Sequence, residues 1–326
     1  MPTPAHNFQE AFHRRRGHLK DPHVRALAWL LDSPDLLDAQ APQWQGKVAT
    51  LFGHHGEAAD AWLTELDADP SALHAILDSH PFARLGRYAE QLMAFFFRRL
   101  GVLYAHGVQV GTDQTVGEFD FLLWHTDSAG ARTLLHWEFA TKFYLFEANQ
   151  AQRQSGGDAE YLVGPNLADT LGAKMRKILV RQLSLSEHPA AQAHLPQAID
   201  AAQALIKGWL FYRHDDFPSP ATLGVSTDHC RGFWMTLDEA ASLRGECFLI
   251  LPRLSWLAPA CAQPDACLNQ EQLRAALDMH FAVDAAAVMV ATLDTAGETG
   301  MALESERTFI VPNDWRGRAA AGISVK

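Results

Sequence analysis

Glu118 and Asp120 sit two residues apart in an otherwise aromatic and aliphatic run, GEFDFLL. A second run, HWEFATK, spaces His136, Glu138, Ala140 and Lys142 in the same way. Such alternation predicts β-strands, in which successive side chains point to opposite faces. Glu118 and Asp120 then share one face, while Phe119, Phe121 and Leu123 take the other. In the second run His136, Glu138, Ala140 and Lys142 oppose Trp137, Phe139, Thr141 and Phe143. Carboxylates gathered above an apolar underside are costly unless a cation offsets them. A hard divalent ion with a phosphate suits such a site, because these ions take oxygen ligands and phosphodiester hydrolysis needs charge neutralised. On this reading Asp120 and Glu138 hold Mg²⁺ or Mn²⁺. Glu90, from the preceding helix, completes a second position, Lys142 contacts the phosphate, and Glu118 is a spare ligand. The competing reading pairs both carboxylates with basic residues of the next helix.

Strands carrying such groups need a scaffold. Val24, Leu27, Ala28, Leu30 and Leu31 form a helical apolar stripe, and Asp21-Pro22 suits a helix start. A weaker repeat over 58–77 makes residues 20–80 read as helical. A strong amphipathic helix is predicted over 85–100. There Leu85, Tyr88, Ala89, Leu92, Met93 and Phe96 recur at helical spacing before Gly101. Strands are predicted over 103–110, 117–125 and 134–146. A polar loop over 147–159 then leads to a helix over 167–185, starting near Asp169 or Thr170, and to a strand over 204–212. Beyond it, 232–236, 247–251 and 308–311 read as strands and 269–281 as a helix. The Gly/Ala-rich end, 316–326, reads as frayed.

Charge narrows the partners. The 326 residues carry a formal net charge of −11, which argues against a basic coat for sequence-independent DNA binding. Local clusters remain. Lys174, Lys177 and Arg181 fall at i, i+3 and i+7 of one predicted helix, and Arg84, Arg87, Arg98 and Arg99 belong to another. Together they can track phosphates; the bland reading is a solvated helix face. Cys230, Cys247, Cys261 and Cys267 form no CxxC pair and are expected as free thiols in a reducing compartment. Residues 1–20 lack the apolar middle of a signal peptide. No apolar run approaches the roughly 18–20 residues that span a bilayer. The expected address is the cytoplasm, with no membrane partner. P-loop, GxSxG and HExxH patterns are missing, which removes the simplest nucleotide-cradling, serine-hydrolase and zinc-protease readings.

In order along the chain, LGRYAEQL, GEFDFLL, HWEFATKFYL, YLVGPNLADTLGAKMRKILVRQLSLS and RTFIVPNDW resemble the bacterial family called domain of unknown function 1853. The resemblance covers nearly the whole chain. A helix with Glu90, a strand with Asp120, a strand with Glu138 and a lysine, then a basic helix with Gln182, also resembles the PD-(D/E)XK nuclease superfamily. That resemblance implies an α/β fold with a restriction-endonuclease-like αββαβ core and a central mixed sheet, over residues 81–215. An N-terminal helical segment, 1–80, and an α+β extension, 216–326, flank it. It implies that Asp120 and Glu138 hold one or two magnesium ions and that Glu90 adds a second-metal or outer-sphere ligand. It also implies that the lysine orients or deprotonates the attacking water, and that Gln182 lies near the site with the basic helix. One position departs from the pattern. The superfamily places its lysine two residues after the glutamate, where this chain has Ala140. Lys142 stands four residues on, about 13 Å along the strand at roughly 3.3 Å per residue. A bulge, or Lys174 or Lys177 from the following helix, can supply the cation instead. The expectation is a Mg²⁺- or Mn²⁺-dependent nuclease-like phosphodiesterase acting on DNA or RNA. Ala140 favours the alternative, a nuclease-fold module without catalysis that binds nucleic acid or a protein partner.

Overall fold

Alternation in the sequence becomes strand pairing through most of this protein, and the strands assemble into one mixed sheet. The structure is a computed structural model and describes residues 8–51, 56–79, 82–111, 116–148, 159–214, 216, 218, 220–295 and 300–324. The strands among them are β1 (Leu103–Val110), β2 (Gly117–Thr126), β3 (Arg132–Phe146), β4 (Leu162–Val163) and β5 (Ala201–Tyr212). They continue with β6 (Cys230–Thr236), β7 (Cys247–Leu251), β8 (Cys261–Ala262), β9 (Val288–Asp294) and β10 (Ala302–Val311). The sheet order is β1-β2-β3-β5-β6-β10-β9-β7, with β4 beside β3 and β8 beside β10. β1, β2 and β3 pair antiparallel, and β5 runs parallel to β3. β6 runs parallel to both β5 and β10, while β9 pairs antiparallel with β10 and β7. The C-terminal strands thus extend the sheet that begins at β1.

Helices α1 (Phe8–Arg16), α2 (Pro22–Asp32), α3 (Gly56–Ala68), α4 (Ser71–Leu77) and α5 (Leu85–Arg99) precede the sheet. α2 starts as the sequence requires: the Asp21 side chain accepts the N–H groups of His23 and Val24 at 2.9 and 3.0 Å. α5 buries Leu85, Tyr88, Ala89, Leu92, Met93 and Phe96 on one stripe. Gly101, at φ +71°, stands just past its end. That stripe packs on one sheet face with Phe121, Leu123, Phe139 and Phe143. Burying each such side chain contributes about 1.5–3 kcal/mol. The opposite face carries Tyr144, Phe146, Ile206 and Leu210, packed with Leu171 and Met175 of α6 (Leu171–Lys177). The remaining helices are α7 (Pro220–Leu223), α8 (Gln270–Phe281) and α9 (Trp315–Ser324).

The structure corrects several expectations. The helix predicted over 167–185 starts only at Leu171, where the Thr170 hydroxyl accepts the Ala173 N–H at 3.2 Å. After Lys177 it widens into a π-helix, Ile178–Gln182. β9 lies in an almost wholly apolar run, which shows no alternation to mark a strand. Of the end predicted to fray, the described part, 316–324, is helical. The Trp315 indole donates to the Pro165 carbonyl at 2.7 Å, Arg316 pairs with Glu147 at 2.9 Å, and Ala319 is buried. Nor are all four cysteines free: Cys247 and Cys267 form a disulfide, leaving Cys230 and Cys261 as thiols. The neighbouring bridge, in which Phe248 and Leu268 exchange backbone hydrogen bonds of 2.9 and 2.8 Å, brings those two segments together. The polar loop expected over 147–159 lies mostly outside the described residues.

Candidate functional site

β2 and β3 pair from Thr126 and Arg132 as far as Phe121 and Trp137, and then part. Asp120 stands at the parting. Its Oδ2 accepts the Phe139 N–H at 2.9 Å, so a side chain takes over where the ladder stops. On β1 the register sets His106 against Phe121 and Val108 against Phe119, which places Gly107 opposite Asp120. Gly107 has φ +63°, a left-handed conformation that glycine adopts freely. Side-chain faces change here. Phe119 meets the His136 ring edge-on and packs with Leu122 and Leu134, whereas Phe121 packs on Phe97 of α5. The single face expected for Phe119, Phe121 and Leu123 is therefore broken at Asp120. Glu90, Glu118 and Asp120 offer oxygens that all lie within 4.8 Å of one another. Glu138 hydrogen-bonds Asp120 and also meets residues of α6 and its π-turn. Asp120 is common to both groups.

The carboxylates differ in how they are neutralised. Arg87 donates to Glu90 at 2.9 Å and to the two oxygens of Glu118 at 2.6 and 2.9 Å. Those bonds hold Glu118 below the usual carboxylate range and Arg87 above its ordinary value. Glu90 also meets His106 Nε2 at 3.0 Å, and Gln109 donates to Glu118. No arginine among the described residues bonds Asp120 or Glu138. Burial, then the nearby Glu138 and Glu90, pushes Asp120 up to about 8. Burial pushes Glu138 up to about 7, against the Asp120 hydrogen bond and the charge of Lys174. Glu138, 1% exposed, receives the Gln182 amide and His136 Nε2, the latter at 2.9 Å. Burial pushes His136 down to about 4, so at neutral pH its ring is uncharged and its Nε2–H donates. Two such carboxyls in contact retain a proton near pH 7, and a bound cation would displace it.

Lys174 supplies the positive charge on the α6 side. Burial and Lys177 lower it from its usual value, while Asp120 and Glu138 pull it back up. Its Nζ donates to Gln182 Oε1 at 3.4 Å, which links it to Glu138 through the amide. The π-turn shifts the phase of the residues after it. Lys142 lies on the strand face of Glu138, as the alternation predicts. Its Nζ stands 3.8 Å from Asp169 Oδ2, and the charges acting on it are Asp169, Lys174 and Lys177. Lys177 and Arg181 are exposed. The structure thus brings together Asp120, Glu138, Glu90, Lys174 and Gln182, sets Lys142 and Lys177 within electrostatic reach of Lys174, and gives Arg181 no contact with the group among the described residues. Sequence reasoning passes over His106 and Gly107. A glycine inside a strand pattern is a signal for a bulge or a close backbone approach; nothing marks His106, whose link to Glu90 depends on how α5 packs against β1. Two cavities, of about 520 and 400 Å³, lie elsewhere, and neither is lined by Asp120 or Glu138.

This chain belongs to the family described as a domain of unknown function (DUF1853), which matches it over residues 25–311. No curated protein and no solved structure matches it. The matched span runs from within α2 to the end of β10, so it includes α3, α4, α5 and the C-terminal strands along with the carboxylate site, and leaves out α1. No helix among the described residues is long and apolar enough to cross a membrane.

Proposed function

We propose that this protein is a Mg²⁺- or Mn²⁺-dependent phosphodiesterase of the nuclease type, acting on DNA or RNA. One observation carries the reading: at the strand parting Asp120 meets the buried Glu138, with no arginine on either among the described residues and Lys174 as the nearby cation. The donor set there is all oxygen, which fits a hard cation. Asp120 and Glu138 would hold it, with Glu90 available on the α5 side. Such an ion, when bound, polarises a phosphoryl oxygen and acidifies water. The chain's own residues do the rest. The Phe139 N–H orients Asp120, and His136 and Gln182 orient Glu138. Lys174 offsets the gathered negative charge. The order α5, antiparallel β1–β3, α6 and then β5 parallel to β3 supports reading this part as a restriction-endonuclease-like core.

A second reading has its own support. Ala140 occupies the usual lysine position, Lys142 engages Asp169, and Arg87 neutralises Glu90 and Glu118. These favour a nuclease-fold module that binds nucleic acid or a protein partner without cutting. Single- and double-stranded DNA and RNA are incubated with the pure protein in Mg²⁺ or Mn²⁺, beside Asp120→Asn, Glu138→Gln and Lys174→Met. The expected result is cleavage that falls about 100-fold or more in the carboxylate variants and about 10–100-fold in Lys174→Met. Cleavage untouched by both carboxylate substitutions refutes the catalytic reading. Binding without cleavage, retained in both variants, establishes the module.

A further inference from the structure

The parting of β2 and β3 leaves a second feature that the carboxylates do not use. β3 pairs with β2 as far as Trp137 and with β4 only at Leu145 and Phe146, so its edge from 138 to 144 faces no strand among the described residues. On its other edge β5 covers that whole stretch. Along a strand, alternate residues turn their backbone groups to opposite edges. The Lys142 carbonyl lies against Gly208 of β5, and the Phe139 N–H points the other way, to Asp120. Thr141 and Phe143 therefore turn their N–H groups into the gap. A cavity of about 210 Å³ occupies it.

The lining of this notch is built for an anion. Arg84, Lys142 and Arg253 line it, together with Asn166 and the first turn of α5 at Leu85 and Gly86. Arg84 and Arg253 are exposed, and neither has an ion-pair partner among the described residues. Arg84 is the N-cap of α5 and makes no side-chain cap, so the notch also meets the positive end of a 15-residue helix. Asp169 is the one carboxylate in the lining among the described residues; it lies 3.8 Å from Lys142 and accepts the Tyr144 hydroxyl at 3.1 Å. Three cations against one carboxylate leave a local positive surplus in a chain whose net charge is −11. The Thr141 hydroxyl oxygen is buried without a hydrogen-bond partner among the described residues.

We propose that this notch is a phosphate subsite that receives one phosphate of a nucleic-acid strand lying across the parted strands. Guanidinium groups and converging N–H donors match the oxygens of a phosphate. The notch adjoins the carboxylates. α5 runs from Gly86 in the notch to Glu90 in the acidic group, about 6 Å at 1.5 Å per residue. The nucleic-acid assignment rests on the phosphodiesterase reading; recognition of phosphate by the notch does not.

The test uses the full chain in EDTA, so that no metal contributes. Inorganic phosphate and a short single-stranded DNA are titrated against the wild type and the Arg84→Gln/Arg253→Gln variant. Phosphate should bind the wild type and compete with the DNA. The double variant should lose about ten-fold or more in both affinities. Its melting temperature checks that the double variant is folded, and Lys142→Gln should reproduce the loss independently. A wild type that binds no phosphate overturns the subsite, as does a folded double variant that binds phosphate equally well. Lost phosphate affinity with unchanged DNA affinity overturns the nucleic-acid assignment. Failure of the phosphodiesterase reading is seen separately, as Mn²⁺ binding unaffected by Asp120→Asn.

Discussion

Asp120, pushed up to about 8, holds a proton that the unfolded chain, with a carboxyl near 4, has already released. Between those values the folded state binds more protons than the unfolded one, so stability falls as pH rises. Glu138, raised to about 7, acts in the same direction over the lower part of that window. At about 1.4 kcal/mol per unit, the loss from about pH 4 to about pH 8 is on the order of a few kcal/mol. Denaturation in EDTA across that range should show the decline. Asp120→Asn should flatten it, and Mn²⁺ should reverse it at the alkaline end. A wild-type profile without slope contradicts the retained proton. The two acids are legible in the sequence, because carboxylates flanked by Phe119, Phe121, Trp137 and Phe139 make poor solvated-face residues. The attending lysine is legible only as one candidate among Lys142, Lys174 and Lys177. Strand spacing nominates Lys142, whereas the docking of α6 brings Lys174 to the pair, and no spacing rule encodes where a helix docks.

Two glycines separate the ways an element can depend on having no side chain. At Gly107 an added Cβ would meet only Glu118 Oε1, at 3.7 Å, so Gly107→Ala costs backbone strain alone, about 1 kcal/mol. At Gly208 it would lie 1.9 Å from the Lys142 carbonyl oxygen, forcing β5 away from β3. Gly208→Ala should cost about 3 kcal/mol. Urea unfolding of both variants ranks them, and the reverse order refutes the close β3–β5 approach. Elements whose residues alternate or repeat cleanly, such as β1, β2, β3, α2 and α5, can be read from the chain. The π-turn at Ile178–Gln182 cannot, because its residues suit an α-helix equally well. β9 is hidden for a related reason: a strand buried on both faces has no polar side to reveal its period.

Across the whole molecule, a buried polar network joins the two ends of the chain. Arg307 and Glu304 are fully buried and pair at 2.6 Å. The guanidinium also donates to the Trp256 carbonyl at 2.6 Å and lies 3.7 Å over the Trp209 ring. Arg25 of α2 donates to the Pro259 carbonyl at 2.9 Å, and the Glu304 carboxylate accepts the Ala260 N–H at 2.7 Å. Removing one charge strands the other in a low-dielectric interior. Glu304→Gln should therefore cost about 3–5 kcal/mol, while Glu304→Leu with Arg307→Met should recover most of that loss. Calorimetric unfolding compares the two; equal losses would show that packing, rather than charge, dominates there. Because one sheet runs from β1 to β7, the loss should appear as a single shifted transition.

Local pattern settled what depends on neighbours in the chain: the amphipathic stripe of α5, the Asp21 cap, the alternating strands and the two acids they carry. These follow from periods of 3.6 and 2 and from hydrogen bonds spanning two or three residues. Three-dimensional packing settled the rest. It paired Cys247 with Cys267, pinned Trp315 against Pro165, parted β2 from β3 at Asp120, and turned Arg84, Lys142 and Arg253 into one notch. Each of these joins residues far apart in the chain, and their meeting depends on how whole elements dock.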